Sequence, residues 1–297
     1  MPRPALFVLA PLAFGALALG SLTFAACRPA TPDAPAATSS TASPSAQAPR
    51  LRHDANLDSL FGGVPGTFVV LDPARADTLR HDAARARTRR IPASTHKIVH
   101  TLIALETGVA PDTALAIRYD AARDPAEPWW PATWAQDQTL GTAFRASAVW
   151  YFRELARRIG RDRSQAWLDT LGYGSRRIGA RADRYWLDGS LTISADEQVG
   201  FLDRLWSGRL PVDARSFAAV RAFMRLDARG EAVLYGKTGT GPDAGGEVGW
   251  LVGVVERGGA RYPYALRLEA RPEETVGSRE ERVARAAVLL RAAGVWP

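Results

Sequence analysis

The stretch Pro92-Ala93-Ser94-Thr95-His96-Lys97-Ile98 contains a Ser-x-x-Lys motif and one of only two lysines in the chain. The second lysine lies in Tyr235-Gly236-Lys237-Thr238-Gly239-Thr240, a Lys-Thr-Gly motif. Of the 38 basic residues, the other 36 are arginines. A buried ammonium can lose its proton whereas a guanidinium cannot, so lysine is retained where a base is needed. Either motif alone is common by chance and both lysines could be surface residues, but their pairing in this order favours a catalytic role.

The segment that follows Ser94 has the periodicity of a helix, with apolar residues at Ile98, Leu102 and Leu105. It predicts a helix from Ser94 to Thr107 with Ser94 at the N-terminus. Residues three apart on a helix project to one side, so the Ser94 hydroxyl and the Lys97 amine are within reach of each other. The amine needs an apolar environment, because its usual pKa of about 10.4 would leave it protonated at neutral pH.

Composition excludes several classes of function. The chain has 297 residues, 46% hydrophobic and 23% charged, which is typical of a soluble globular protein. Its net charge of +7 comes from arginines scattered among acids, so no nucleic-acid partner is predicted. Cys27 is the only cysteine, which excludes a disulfide framework and a cysteine zinc site. His96 and His100 could form a metal pair, but no third ligand is evident; we therefore predict no metal.

The N-terminal segment predicts export. Residues 1–27 comprise Arg3, an apolar run and Leu22-Thr23-Phe24-Ala25-Ala26-Cys27, which resembles a bacterial lipobox with Phe in place of the usual Leu. This pattern favours a periplasmic lipoprotein anchored to the membrane through Cys27, and cleavage after Ala26 without lipidation is the alternative. Residues 28–52, rich in Pro, Ala, Ser and Thr, predict a disordered linker, and residues 53–297 a folded domain.

Within that domain, strand signals lie at both ends of a helical middle. The predicted strands are Gly66 to Asp72, a second one within the polar run 73–90, Ala232 to Gly236, Val248 to Glu256 and Tyr264 to Ala270. The predicted helices after the first are Ala143 to Ile159, Arg163 to Leu171, Ser194 to Trp206, Val212 to Leu226 and Arg279 to Ala293. The pattern indicates an α+β domain: an antiparallel sheet that joins the N- and C-terminal segments, flanked by helices, with a helical lobe at about 110–188.

A third motif distinguishes among serine enzymes that contain both a Ser-x-x-Lys and a Lys-Thr-Gly motif. The only asparagine, Asn56, precedes Ser94, so no Ser-x-Asn or Tyr-x-Asn element can follow it; Ser147-Ala148-Val149 stands in its place. Together with Tyr173-Gly174, Trp186-Leu187 and the two lysine motifs, this resembles a class D, oxacillinase-type, serine β-lactamase from about Gly66 to Gly294. The resemblance implies the β-lactamase/transpeptidase-like fold and hydrolysis of penicillin-type antibiotics.

The resemblance also implies roles for the residues near Ser94. Ser94 would attack the β-lactam carbonyl. Lys97, carboxylated by carbon dioxide to N6-carboxylysine, would act as the general base for acylation and deacylation, with no other cofactor. Ser147 would relay a proton to the leaving nitrogen, Val149 would flank the carbamate, and the Trp186 indole N–H would donate a hydrogen bond to it.

The second lysine motif would bind the substrate. Lys237 and Thr238 would meet the substrate carboxylate, Gly239 would leave room for the ligand, and the amides of Ser94 and Thr240 would form the oxyanion hole. An arginine near the start of the last helix would grip the carboxylate, Arg282 fitting best and Arg279 being the alternative. The chain departs from the family pattern at His96, where Phe or Tyr is usual, and at Ser175, where Asn is usual.

Three other functions share these motifs. An antibiotic sensor acylates and then hydrolyses very slowly, but sensors need several membrane spans and this chain has one short export segment. A cell-wall transpeptidase or carboxypeptidase is disfavoured by the missing asparagine. A binding module with vestigial motifs is disfavoured because every catalytic side chain is present. The sequence makes no prediction of oligomeric state.

Overall fold

The computed structural model describes residues 48–243 and 245–297. The predicted export signal, Cys27 and the linker as far as residue 47 lie outside these residues. The elements are, in chain order, α1 (Leu57–Phe61), β1 (Gly66–Asp72), β2 (Asp77–His81), α2 (Ala83–Arg87), α3 (Lys97–Glu106), β3 (Ala116–Ile117), β4 (Gln138–Thr139), α4 (Leu140–Ala146), α5 (Val149–Ile159), α6 (Arg161–Leu171), α7 (Ala195–Trp206), α8 (Ala214–Met224), β5 (Arg225–Arg229), β6 (Ala232–Asp243), β7 (Gly246–Arg257), β8 (Ala260–Ala270) and α9 (Arg279–Ala292). A 3-10 turn, Ala93–His96, leads into α3, and another, Ala132–Trp134, precedes β4.

One antiparallel sheet joins the two ends of the described chain. Its strand order is β2-β1-β8-β7-β6-β5, and β1 pairs with β8 so that Val69 lies opposite Ala265. β3 and β4 form a separate two-stranded ribbon. The predicted α+β architecture, with N- and C-terminal segments in one sheet, is confirmed.

The two faces of the sheet cover different cores. Successive side chains of a strand point to opposite faces. On β8, Leu266 packs into a cluster that includes α1 and α9, whereas Ala265 packs into a larger cluster built from α3 to α8. The 3-10 turn that carries Ser94 contacts β6 on this second side. The sheet and the helical lobe therefore meet at the Ser-x-x-Lys motif.

The predicted single helix from Ala143 to Ile159 is wrong, because the chain breaks at Ser147. Ser147 has φ +62°, in the left-handed region, and separates α4 from α5. The amides of Ser147 and Ala148 turn back to the carbonyls of Phe144 and Ala143, as in helices closed by a left-handed residue. Glycine usually occupies such a position, so a serine there gave no signal for the break.

Other boundaries also differ from the predictions. β5 replaces the end of the predicted helix Val212 to Leu226, because this short and mostly exposed segment is held by pairing with β6 rather than by a core-facing pattern. Helix α2 was missed, since its five residues are too few to display a helical period. The β3–β4 ribbon was missed as well, inside a region predicted to be largely helical.

The packed domain begins within the predicted linker. Leu51 is buried, the amide of Arg52 donates to the Ala293 carbonyl, and the Tyr262 hydroxyl donates to the Pro49 carbonyl. The end of the segment 28–52 is thus attached to the domain by contacts that its composition did not predict. None of the helices in the described part of the chain has the length and apolar character needed to cross a membrane.

Candidate active site

Ser94 lies in a strained turn between the sheet and α3. Ala93, directly before it, is buried with φ +46°, a conformation that is uncommon for a residue other than glycine. The Thr95 hydroxyl donates to the Pro92 carbonyl at 2.7 Å and braces this turn. Strand β6 passes so close that a Cβ on Gly239 would stand 2.9 Å from the Pro92 carbonyl oxygen and 3.0 Å from the amide nitrogen of Ser94. Only glycine fits at this crossing.

Lys97 is buried completely and contacts the Ser94 hydroxyl. Its Nζ donates to Ser94 Oγ at 2.7 Å. Burial lowers the pKa of Lys97 to about 7, because an ammonium loses its hydration there without gaining an anionic partner. The nitrogen lies 5.3 Å from the ring centroid of Phe152, on α5. The apolar environment that the sequence required is therefore present.

Ser147 and Lys237, which are 90 positions apart in the sequence, are hydrogen-bonded. Lys237 Nζ donates to Ser147 Oγ and to the Thr238 carbonyl, both at 2.9 Å. The left-handed turn at Ser147 makes this contact possible by ending α4. The Trp134 indole N–H holds that end of the helix, since it donates to the Ala146 carbonyl at 2.9 Å.

The electrostatics around Lys237 differ from those around Lys97. Burial lowers the pKa of Lys237 well below its usual value, and the positive charges of Lys97, Arg279 and Arg282 lower it further. Lys237 and Gly239 are two apart on β6 and so point to the same face of the sheet. A cluster of cations thus lies beside Ser94, and an anion bound there would be stabilised.

Arg282 is placed by the start of α9. Ser278 caps this helix through a capping box with Glu281, which puts Arg282 one turn into it. The Arg282 guanidinium is buried and donates to Thr240 Oγ1 at 2.7 Å, next to the Lys-Thr-Gly motif. Arg279 instead donates to the Arg145 carbonyl at 3.0 Å and lines a small cavity with Lys237 and Thr238. Both arginines therefore lie near the second lysine.

Val149 and Trp186 are both in the core that surrounds α3. Val149 is the first residue of α5, one turn before Phe152. The Trp186 ring is buried with its centroid 4.4 Å from that of His100, and its Nε1 has no hydrogen-bond partner among the described residues. A buried indole N–H usually finds a partner, so this donor is available to a group that binds nearby.

Sequence reasoning missed two features of this core. Phe152 lines Lys97, and its spacing of three from Val149 could have indicated a shared helix face. The phenol of Tyr185 lies between two histidines, 2.9 Å from His96 Nε2 and 3.0 Å from His100 Nε2. The described residues contain no group of three His, Cys, Asp or Glu side chains that could hold a metal ion.

The arrangement can support acyl transfer. A hydroxyl sits at the end of a helix beside an amine of lowered pKa, and a second hydroxyl and a cationic cluster flank it; these are the parts of an activated nucleophile with an anion-binding site. The family described as "Penicillin binding protein transpeptidase domain" matches residues 66–289. Fold and site together define the class: the chain belongs to the penicillin-recognising serine enzymes.

Comparison with known proteins narrows this class. The chain is 37% identical over 215 residues to a probable β-lactamase, YbxI, of Bacillus subtilis, covering 72% of this chain and 78% of that one. The crystal structure of FUS-1 (OXA-85), a class D β-lactamase from Fusobacterium nucleatum, superposes with a TM-score of 0.74 at 31% identity, covering 80% of this chain and 97% of that one. The regulatory protein BlaR1 of Bacillus licheniformis is 31% identical over 233 residues, covering 78% of this chain but 37% of its own length. The chain belongs to the class D serine β-lactamases.

Proposed function

We propose that this protein hydrolyses penicillin-type β-lactam antibiotics through an acyl-enzyme on Ser94. The observation that carries the proposal is the 2.7 Å contact between Ser94 Oγ and the buried Lys97 amine, whose pKa is lowered to about 7. Half of such amines are neutral at pH 7, against about one in 2,500 for an unperturbed lysine. The Ser94 oxygen attacks the ring carbonyl, its proton passes to the base, and the amide C–N bond breaks. Water then releases the acyl group.

The base that we propose is Lys97 in carboxylated form, produced by carbon dioxide and needing no other cofactor. The group fits the residues present: a neutral amine is the form that adds carbon dioxide, and the buried Trp186 Nε1 is a donor with no partner in the described chain. When present, the carbamate supplies a carboxylate-like base that accepts the proton of Ser94 and later that of the deacylating water. Val149 and Phe152 exclude bulk water from this side of the site. The formation of an anion there would also reverse the repulsion that Lys97 exerts on Lys237.

We assign substrate binding to the second lysine motif. Lys237 is hydrogen-bonded to Ser147, which supports a path for a proton from the Ser147 hydroxyl to the departing ring nitrogen. The cations Lys237 and Arg282, with the Thr238 and Thr240 hydroxyls, match the carboxylate of a penicillin. The amides of Ser94 and Thr240 form the oxyanion hole, where one donor is worth about 3 kcal/mol of transition-state stabilisation. The prediction that Gly239 leaves room for the ligand is replaced by another role: glycine at this position lets β6 pass against the turn that carries Ser94, because a Cβ would meet the Pro92 carbonyl oxygen and the Ser94 amide nitrogen.

We further propose that the protein is exported to the periplasm and anchored to the membrane by a lipid on Cys27. Support comes from the sequence of residues 1–27. Labelling cells with a radioactive fatty acid tests this directly. The wild-type protein should carry label, and the Cys27→Ala variant should not.

A second function is favoured by one comparison. The regulatory protein BlaR1 matches 78% of this chain. This similarity favours the antibiotic sensor considered above, a protein that acylates but turns over slowly. A chromogenic cephalosporin, assayed with and without added bicarbonate, separates the two. Many turnovers per enzyme, stimulated by bicarbonate, support the hydrolase. A burst of one equivalent supports a sensor or a transpeptidase-like protein, and no reaction contradicts both.

A further inference from the structure

Three polar side chains form a bridge beneath the catalytic turn. The phenol of Tyr185 contacts His96 Nε2 at 2.9 Å and His100 Nε2 at 3.0 Å, and the three side chains are buried completely. The histidines lie one turn apart, on the segment that carries Ser94 and Lys97, while Tyr185 belongs to the loop between α6 and α7. The bridge therefore ties the catalytic helix to a distant loop.

Counting hydrogens defines the state of the bridge. A phenol has one hydrogen, so at most one histidine can receive it and at least one must donate its own Nε2–H. Burial lowers the pKa of His100 to about 3 and that of His96 well below its usual value, so both rings are neutral at physiological pH. Their Nδ1 atoms have no hydrogen-bond partner in the described part of the chain. The phenol is thus the partner that holds both rings.

The bridge is also in contact with Trp186. Tyr185 is the residue before Trp186, and their ring centroids are 5.2 Å apart with an edge-to-face geometry. His100 contacts the indole edge-to-face at 4.4 Å, and His96 stacks on it at 6.1 Å. The indole therefore packs against all three members of the bridge.

We propose that His96, Tyr185 and His100 are positioning residues that fix the Trp186 indole N–H toward the carboxylated Lys97. This inference rests on the proposed function, because it concerns the base at Lys97. A donor that is already oriented binds its acceptor without a cost of ordering, so the bridge raises the affinity of Lys97 for carbon dioxide. The bridge also gives His96 a role, since its Nε2 contacts the Tyr185 hydroxyl at 2.9 Å.

The test measures carbamate directly, apart from activity. The full-length protein is titrated with ¹³C-labelled bicarbonate, and the carbamate carbon is followed by NMR. The chain has two lysines, so the signal that disappears in Lys97→Arg is assigned to Lys97. We expect Tyr185→Phe to raise about tenfold the bicarbonate midpoint, the concentration at which half of Lys97 is carboxylated. This is the lower end of the effect seen when groups that orient metal ligands are removed.

Two controls separate positioning from general stability. Tyr262→Phe removes another buried phenol, whose hydroxyl donates to the Pro49 carbonyl in the opposite core. It should lower the melting temperature and leave the bicarbonate midpoint unchanged. At His100, Gln can still pair with the Tyr185 hydroxyl whereas Leu cannot, so His100→Leu should weaken carbamate formation and His100→Gln should largely restore it.

Each outcome bears on a different claim. If the bicarbonate midpoints of wild type and Tyr185→Phe are equal, the positioning role is overturned and the proposed function stays intact. If Tyr185→Phe does not fold, equal midpoints in His100→Leu and His100→Gln have the same meaning. No Lys97-dependent carbamate signal in the wild-type protein at any bicarbonate concentration overturns both the carboxylated base and this inference. A raised midpoint that also appears in Tyr262→Phe assigns the effect to stability and overturns the positioning role.

Discussion

The two lysines of this chain are both buried, yet their surroundings differ. Lys97 contacts the Ser94 hydroxyl and an aromatic ring, and burial lowers its pKa. Lys237 bonds to Ser147 and to a backbone carbonyl, and three other cations lower its pKa as well. The first environment favours loss of a proton, and the second favours arrival of an anion.

This difference explains why lysine is kept at both positions in a chain that otherwise uses arginine. At Lys97 the chemistry requires a nitrogen that can become neutral, which arginine does not supply. At Lys237 a compact cation is needed between Ser147 and the substrate, and a guanidinium is a partial substitute. Substitution by arginine should therefore have unequal effects at the two sites.

The largest effect is expected for Lys97→Arg. A guanidinium can neither accept the proton of Ser94 nor form a carbamate, so kcat/KM for a penicillin should fall by about 10³-fold or more, as for loss of a general base. Steady-state hydrolysis measures this, with a melting curve to show that the variant is folded. Lys97→Gln, which avoids a buried charge, should lose as much activity. Retention of more than a tenth of wild-type activity by Lys97→Arg would contradict the assigned role.

Lys237→Arg is the matched control and should be milder. The charge is retained but the bond to Ser147 changes, so we expect about a tenfold loss in kcat/KM, whereas Lys237→Ala should lose about 100-fold because a charge-assisted bond is removed. The comparison is sharpest when both variants are assayed on one penicillin. An equal loss in Lys237→Arg and Lys97→Arg would remove the distinction between the two lysines.

The arginines beside Lys237 should affect binding more than turnover. Arg282 donates to Thr240 at 2.7 Å, so Arg282→Ala should raise KM for a penicillin about tenfold with a smaller change in kcat. Arg279 donates to the Arg145 carbonyl rather than to a residue of this motif, and Arg279→Ala should raise KM about threefold. The ratio of the two KM values decides which arginine holds the carboxylate. A larger effect at Arg279 would reverse the assignment.

Local patterns in the sequence were sufficient for some of the site. The Ser94 to Lys97 contact was predicted from their spacing of three on one helix, and it forms although Ser94 lies in the 3-10 turn that precedes α3. The position of Arg282 follows from the start of α9. A strand was predicted from Ala232 to Gly236 and is confirmed by the pairing of β6 with β7; the observed strand continues beyond the predicted end, through Lys237 to Asp243. These features depend on residues that are close in sequence or on a single regular element.

Long-range contacts were not predictable in the same way. The bond between Tyr185 and His96 joins residues 89 positions apart, and nothing in the local pattern of either segment specifies it. The break at Ser147 is stabilised by the Trp134 indole and by a left-handed conformation that serine rarely adopts. Tertiary packing overrode local propensity at a residue that we assign to catalysis, where strained backbone is often found.

The dependence of activity on pH also separates the two lysines. With a pKa of about 7, the neutral fraction of Lys97 falls from about three quarters at pH 7.5 to about a tenth at pH 6, so activity at limiting bicarbonate should fall several-fold over this range. Saturating bicarbonate should reduce this loss of activity, because carbamate formation consumes the neutral amine and so draws more Lys97 out of its protonated form. His96 and His100 do not contribute, since burial keeps both neutral. Lys237 acts with the opposite sign: it loses its positive charge as pH rises, so KM should rise with pH. If saturating bicarbonate does not restore activity at acidic pH, a group other than Lys97 controls the loss of activity.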